Sequence, residues 1–130
     1  PKEFARVAAI VEQERTLMAS AEVRVLGCSH AEIGKFLAER WNLPEKLVTI
    51  IACHHQPMDA GRFTLEASIV HFADILCRTL NLGSGGDRSM PPLNRAAWDA
   101  LELKVEGIEP IMEELEREFR DIRSFAAQAA

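Results

Sequence analysis

An all-α bundle of about six to seven helices is the fold this sequence predicts, and three observations carry it. Apolar residues recur every three or four positions along almost the whole chain, helix start and stop signals separate those runs, and two-residue alternation with β-branched enrichment is not found. At 130 residues, with 48% hydrophobic and 27% charged residues, the chain has the size and composition of one compact domain, expected over 1–130.

Phe4, Val7, Ala8 and Val11 set one face of a helix over about 2 to 15, with Lys2, Glu3, Arg6 and Glu12 opposite. Thr16 is the expected cap of a second short helix through Val25 and Leu26, which Gly27 stops in the left-handed conformation. Ser29-His30-Ala31-Glu32 reads as a capping box, serine hydroxyl to glutamate amide and glutamate side chain back to serine amide. The helix it opens carries an apolar face of Ile33, Phe36, Leu37 and Trp41. Asn42-Leu43-Pro44 ends that helix and starts another bearing Leu47, Ile50 and Ile51, because proline suits only a first turn.

That fourth helix runs into Cys53-His54-His55 and stops by Gln56-Pro57, and Met58 to Arg62 reads as loop. Thr64 is the expected cap of a long helix that buries Leu65, Ile69, Phe72, Ala73, Leu76 and Leu80. Residues 82–92, with three glycines and two prolines, form the longest irregular segment, expected to be mobile. Asn94 caps a short helix with Ala97, Trp98 and Leu101, and an amphipathic helix from about Gly107 carries Ile111, Leu115, Phe119 and Ile122.

Composition excludes several classes. The 15 basic and 20 acidic residues leave a net charge of −5, with no basic tract, so nonspecific nucleic-acid binding lacks the cations it needs. No apolar run approaches the ~20 residues of a spanning helix, so no membrane partner and a cytoplasmic location are expected. Cys28, Cys53 and Cys77 are odd in number and widely spaced, which reads as buried thiols rather than a disulfide framework or a cysteine zinc cluster. The glycines at 83, 85 and 86 lack the flanking strand and Lys-Ser/Thr of a phosphate loop, and no nucleophile elbow is present, so no catalytic and no organic cofactor-binding residue is assigned.

The chemistry gathers in the histidines at 30, 54, 55 and 71 and in Asp74. Imidazoles with a carboxylate suit zinc, iron, manganese or nickel better than calcium. Adjacent residues on a helix point about 100° apart, so His54 and His55 converge only if the helix ends there. The plainer alternative is that they meet the negative end of the helix dipole. His30 follows a serine cap, where a positive charge is disfavoured, so it is expected neutral. His71, among Ile69, Val70 and Phe72, reads as a core or lid histidine rather than a ligand. Asp74, flanked by Ala73 and Ile75, is costly to bury alone and should hold an arginine, a helix N-terminus or a metal.

The strings Gly27-Cys28-Ser29-His30-Ala31-Glu32-Ile33-Gly34, Trp41-Asn42-Leu43-Pro44, His54-His55-Gln56-Pro57 and Val70-His71-Phe72-Ala73-Asp74 resemble an HDOD domain in order and spacing. Leu82-Gly83 and the stretch from Ala97 to Leu103 extend the resemblance over essentially the whole chain. It implies an HD-domain-like helical fold, related to metal-dependent phosphohydrolases and HD-GYP phosphodiesterases and used mainly in bacterial signalling. It also implies that His30, His54, His55 and Asp74 match metal ligands of the active relatives. No histidine here precedes an aspartate, and the family pattern would place that dyad upstream of Pro1, which makes the chain the expected C-terminal portion of a longer domain. The Gly-Tyr-Pro signature is missing as well, since the chain has no tyrosine.

The expectation that follows is a regulatory module with a partial site for a divalent transition metal, acting through a signalling protein or an attached sensor or receiver domain. The competing expectation is metal-assisted phosphoester hydrolysis by His30, His54, His55 and Asp74, which requires the absent dyad to hold two ions. A third, nucleotide sensing without cleavage, would use the same groove.

Overall fold

The computed structural model describes residues 2–128; Pro1, Ala129 and Ala130, the ends of the expected domain, lie outside the described residues. Seven α-helices and two 3-10 helices account for the regular structure, and no strand occurs among the described residues. The α-helices are α1 (Lys2–Glu14), α2 (Met18–Leu26), α3 (His30–Arg40), α4 (Glu45–Cys53), α5 (Thr64–Thr79), α6 (Arg95–Ala100) and α7 (Ile108–Gln128). The 3-10 segments are Pro57–Phe63 and Val105–Gly107. No helix is long and apolar enough to cross a membrane among the described residues.

Neighbours in sequence are neighbours in space. α1 packs on α2, α3 on α4, and α5 on the 3-10 segment after α4 and on α6. Val7, Val11, Met18 and Ala21 form the α1–α2 core, with Ile10 and Val25 against it. Elsewhere the buried hydrophobic residues are mainly small, Ala31, Ala38, Ala60, Ala67 and Ala97, with Phe72 and Leu76 of α5 the large ones, so helices approach closely at the alanines. Gly34 shows why: a Cβ there would stand 2.7 Å from Cγ2 of Ile51 across the α3–α4 contact.

This close packing revises which faces are buried. α3 buries Ala31 and Ala38, three and four residues either side of Gly34, and leaves Ile33, Phe36, Leu37 and Trp41 exposed, Trp41 to 69%. α5 buries Ala67, Ser68, His71, Phe72 and Leu76, whereas Leu65 and Ile69 are each 52% exposed. Those two line an apolar groove of about 410 Å³ with Phe72, Leu76, Ile111 and Leu115. The expected face of α7 is only half-buried at Ile111, Leu115 and Phe119, and Ile122 is exposed.

The capping box at Ser29 and Glu32 is present, as are the left-handed stop at Gly27 (φ 78°) and the Asn94 cap, whose side chain accepts the amide of Ala97. Other boundaries differ. Thr16 does not cap α2; Asp87 does so from 69 residues away, its carboxylate accepting the Met18 amide at 2.7 Å. Thr64 lies inside α5 and donates its hydroxyl back to the Gly61 carbonyl at 2.7 Å. Pro44 is the cap of α4 rather than its first turn. Pro57 to Phe63, expected as loop beyond Met58, is 3-10 helix interrupted at Gly61, whose φ of 57° and ψ of −120° suit glycine. The three cysteines are free and half-buried rather than buried.

The Gly34 contact yields a direct test of this packing. Gly34→Val should lower unfolding free energy by about 1–3 kcal/mol, because the Cγ2 methyl of β-branched Ile51 is stiff at χ1 and cannot swing away. Denaturant unfolding at unchanged m-value checks it, and wild-type stability would contradict the packing.

Candidate metal centre

Three helix ends build the centre. His30 is the first residue of α3, behind the Ser29 cap; His54 closes α4, and His55 follows at the start of the turn into Pro57. α4 ends at Cys53, His54 keeps right-handed helical angles (φ −62°, ψ −20°) as its cap, and the rings of His54 and His55 lie 4.0 Å apart by centroid. One nitrogen from each of His30, His54 and His55 falls within 4.8 Å of the others, a triad that could hold a metal ion.

Hydrogen bonds set the ring orientations. The Glu22 carboxylate accepts from His30 Nδ1 at 2.7 Å and from the His30 amide at 2.8 Å. The Ile51 carbonyl accepts from His54 Nδ1 at 2.8 Å. Both acceptors place the proton on Nδ1, so each Nε2 turns a lone pair inward. These two Nε2 atoms are 3.4 Å apart, and His55 Nε2 lies 2.9 Å from that of His30. A single N–H from His55 serves the shorter contact; the 3.4 Å pair of lone pairs has no proton between them. An electron-rich nitrogen cluster of this kind fits a cation.

His55 is held neutral. Burial, with His54 and His30 close by, pushes its pKa down to about 4 despite the opposing charge of Asp74. A neutral imidazole is the form that coordinates a metal.

Asp74 lines the same cavity, of about 440 Å³, as the three histidines and Glu22. It stands outside the close triad, and both of its oxygens accept from Arg78 Nε, at 3.2 and 3.1 Å. Of the partners open to a carboxylate in that setting, an arginine, a helix N-terminus or a metal, the arginine is present one turn away. Arg78 also donates through Nη1 to Asp87 at 2.7 Å and to the Ser89 carbonyl at 3.3 Å.

His71 is a structural histidine, 3% exposed. Its Nδ1–H donates to the His54 carbonyl at 2.9 Å and its Nε2 accepts the Asn94 amide at 3.2 Å. It therefore satisfies a carbonyl left over at the end of α4 and an amide at the cap of α6, and fixes the His54 backbone.

Sequence reasoning missed Glu22, Arg78 and Asp87. Glu22 is 6% exposed among Ala21, Val23 and Val25, so the argument made for Asp74, that a carboxylate in an apolar run needs a partner, applies to it equally. Arg78 is legible as the residue four after Asp74 on one helix face. Asp87 gives no such signal, since Met18 and Arg78, which tie it to the helices, are 69 and nine residues away.

Fold and centre together define an all-helical domain with a histidine triad at converging helix ends. The HDOD domain family model matches residues 1–57, a segment that contains all three histidines and Glu22. An uncharacterized protein of Treponema pallidum (strain Nichols) is 43% identical over 53 residues, 40% of this chain and 10% of that protein. The crystal structure of an HDOD domain protein with unknown function from Geobacter sulfurreducens is similar with a TM-score of 0.70 and 30% identity, over 95% of this chain and 45% of its own. The chain spans a tenth of the first relative and under half of the second. Residues 1–57 thus match the HDOD domain model, and the fold of the chain is similar to that of an HDOD domain protein.

The depressed His55 value sets a pH dependence. Above about pH 6.5 the folded and unfolded forms are both neutral there and the residue contributes nothing. As pH falls from about 6.5 toward 4 the unfolded form takes up a proton that the folded form refuses, so metal-free stability falls, and it levels below 4. Chemical denaturation at pH 7 and pH 5 should show this loss in wild type and a smaller one in His55→Gln; equal losses would contradict the assignment.

Proposed function

We propose that this chain is a regulatory HDOD module that binds one divalent transition ion, iron, manganese, zinc or nickel, through His30, His54 and His55, and acts by protein contact in bacterial signalling rather than by hydrolysis. The single observation that carries it is the inward convergence of Nε2 atoms whose rings are tied outward by Glu22 and Ile51. A carboxylate or carbonyl that accepts the far N–H of a metal-bound imidazole usually fixes its tautomer and ring orientation in this way. Asp74 is the remaining candidate ligand and is held by Arg78.

Preference for regulation over hydrolysis rests on the donor set. Two-ion phosphoester chemistry uses a carboxylate to bridge ions about 3.5–4 Å apart, and the one acidic group of the predicted ligand set is engaged by a guanidinium. A bound ion would supply a Lewis acid and an acidified water; around it, Glu22 orients His30, Ile51 orients His54, and His71 holds the backbone between them. A protein partner, either a signalling protein or an attached sensor or receiver domain, is supported by the exposed apolar face of Ile33, Phe36, Leu37 and Trp41 on α3. A contiguous patch of large apolar side chains rimmed by charge is how protein contacts are commonly made.

Elemental analysis should find about one transition ion per chain, lost in His54→Ala. Glu22→Ala should weaken binding by about 10- to 100-fold while keeping the fold. Incubation with a generic phosphodiester and manganese should give no turnover. Turnover abolished by His54→Ala would establish the phosphohydrolase instead, and metal-free protein under saturating conditions would remove the centre.

A further inference from the structure

The cavity beside the triad contains a cation of the chain's own, the Arg78 guanidinium. Its side chain is 15% exposed and lies between two carboxylates, Asp74 on α5 and Asp87 in the 82–92 loop. The Asp87 side chain is only 1% exposed. Besides Arg78, it accepts from the Met18 amide at 2.7 Å and from the Ser89 amide at 3.0 Å. One buried carboxylate therefore ties the loop, the start of α2 and the guanidinium together. The loop also covers Arg78: a Cβ on Gly85 would stand 2.6 Å from the guanidinium carbon. Ser89 extends the attachment to the end of α1, its hydroxyl donating to the Arg15 carbonyl at 3.0 Å. The segment whose composition reads as slack is anchored, by Arg78 together with the Met18 amide and the Arg15 carbonyl.

We propose that Arg78 links occupancy of the histidine triad to the 82–92 loop, by competing with a bound divalent ion for Asp74. This rests on the metal-binding reading above. The ion and the guanidinium are both cations facing the same carboxylate in one cavity. An ion on the triad draws Asp74 away from Arg78, and with that hold lost the guanidinium leaves the position from which it also donates to Asp87 and the Ser89 carbonyl. The loop consequently loosens when the ion binds. Coupling of two sites is reciprocal in free energy, so weakening the hold of Arg78 on Asp74 tightens ion binding. Occupancy at a half-buried centre is thereby displayed on the surface formed by the loop and the α1–α2 junction.

Zinc titration by calorimetry, paired with amide hydrogen exchange of the 82–92 loop on the same samples, tests the link. In wild type, saturating zinc should speed exchange across 83–90 by about fivefold or more. Asp74→Asn, which keeps the triad and the Arg78–Asp87 pair, should still bind zinc but show no change of loop exchange. Arg78→Lys should bind zinc about fivefold or more tightly than wild type. If Arg78→Lys leaves Asp87 without support and fails to fold, the Asp74→Asn comparison decides alone. Zinc binding that leaves loop exchange unchanged in wild type, or changes it equally in Asp74→Asn, overturns the link and leaves the metal centre standing. Failure to bind zinc in a His54-dependent manner overturns both.

Discussion

Two hydrogen bonds that point away from the centre decide what the centre is. Glu22 takes the Nδ1 proton of His30 and the Ile51 carbonyl takes that of His54. Each bond fixes a tautomer and a ring plane at once, and leaves the Nε2 lone pair as the inward-facing atom. Remove them and the same three rings become ordinary half-buried histidines, free to rotate and to share protons. The supporting groups are local where they can be: Ile51 is three residues before His54, and Glu22 is eight before His30 across the Gly27 turn. His71 adds the long-range restraint by holding the His54 carbonyl from α5.

The surrounding bundle suits this arrangement because its helices meet through small residues. With Ala31 and Ala38 buried and Gly34 against Ile51, α3 and α4 come close enough for residues at the start of one and the end of the other to meet. The cost is that large apolar groups are displaced outward, on α3, on α5 along Leu65 and Ile69, and on the far half of α7. Burying these groups against a partner would add the hydrophobic stabilisation that the small interior does not supply. The physical feature that forms the site thus also leaves a surface suited to protein contact.

Local rules made much of this legible. The all-α class, the helix order, the capping box at Ser29, the glycine stop at Gly27 and the Asn94 cap all depend on residues within a few positions of one another. The helix stop before Gln56-Pro57 left room for His54 and His55 to converge, and desolvation required a partner for Asp74, an arginine, a helix N-terminus or a metal, of which the structure supplies the arginine. What escaped depends on tertiary approach. Periodicity marks a large apolar stripe on α3 and α5 but does not say that a glycine-alanine face packs more tightly than leucines do. The cap of α2 comes from Asp87, 69 residues on, so Thr16 looked the better candidate from sequence. The 82–92 loop has the composition of slack chain, and only its tertiary contacts to Arg78, Met18 and Arg15 reveal that it is anchored.

X-ray absorption at the metal edge of zinc-loaded protein addresses the centre most directly, since it counts the scatterers rather than inferring them from affinity. The account predicts imidazole nitrogens at about 2.0–2.1 Å, numbering three, with the multiple-scattering pattern of the ring, and a loss of that pattern in His54→Ala. A first shell of oxygen or sulfur without imidazole, or a spectrum indifferent to His54, would contradict it.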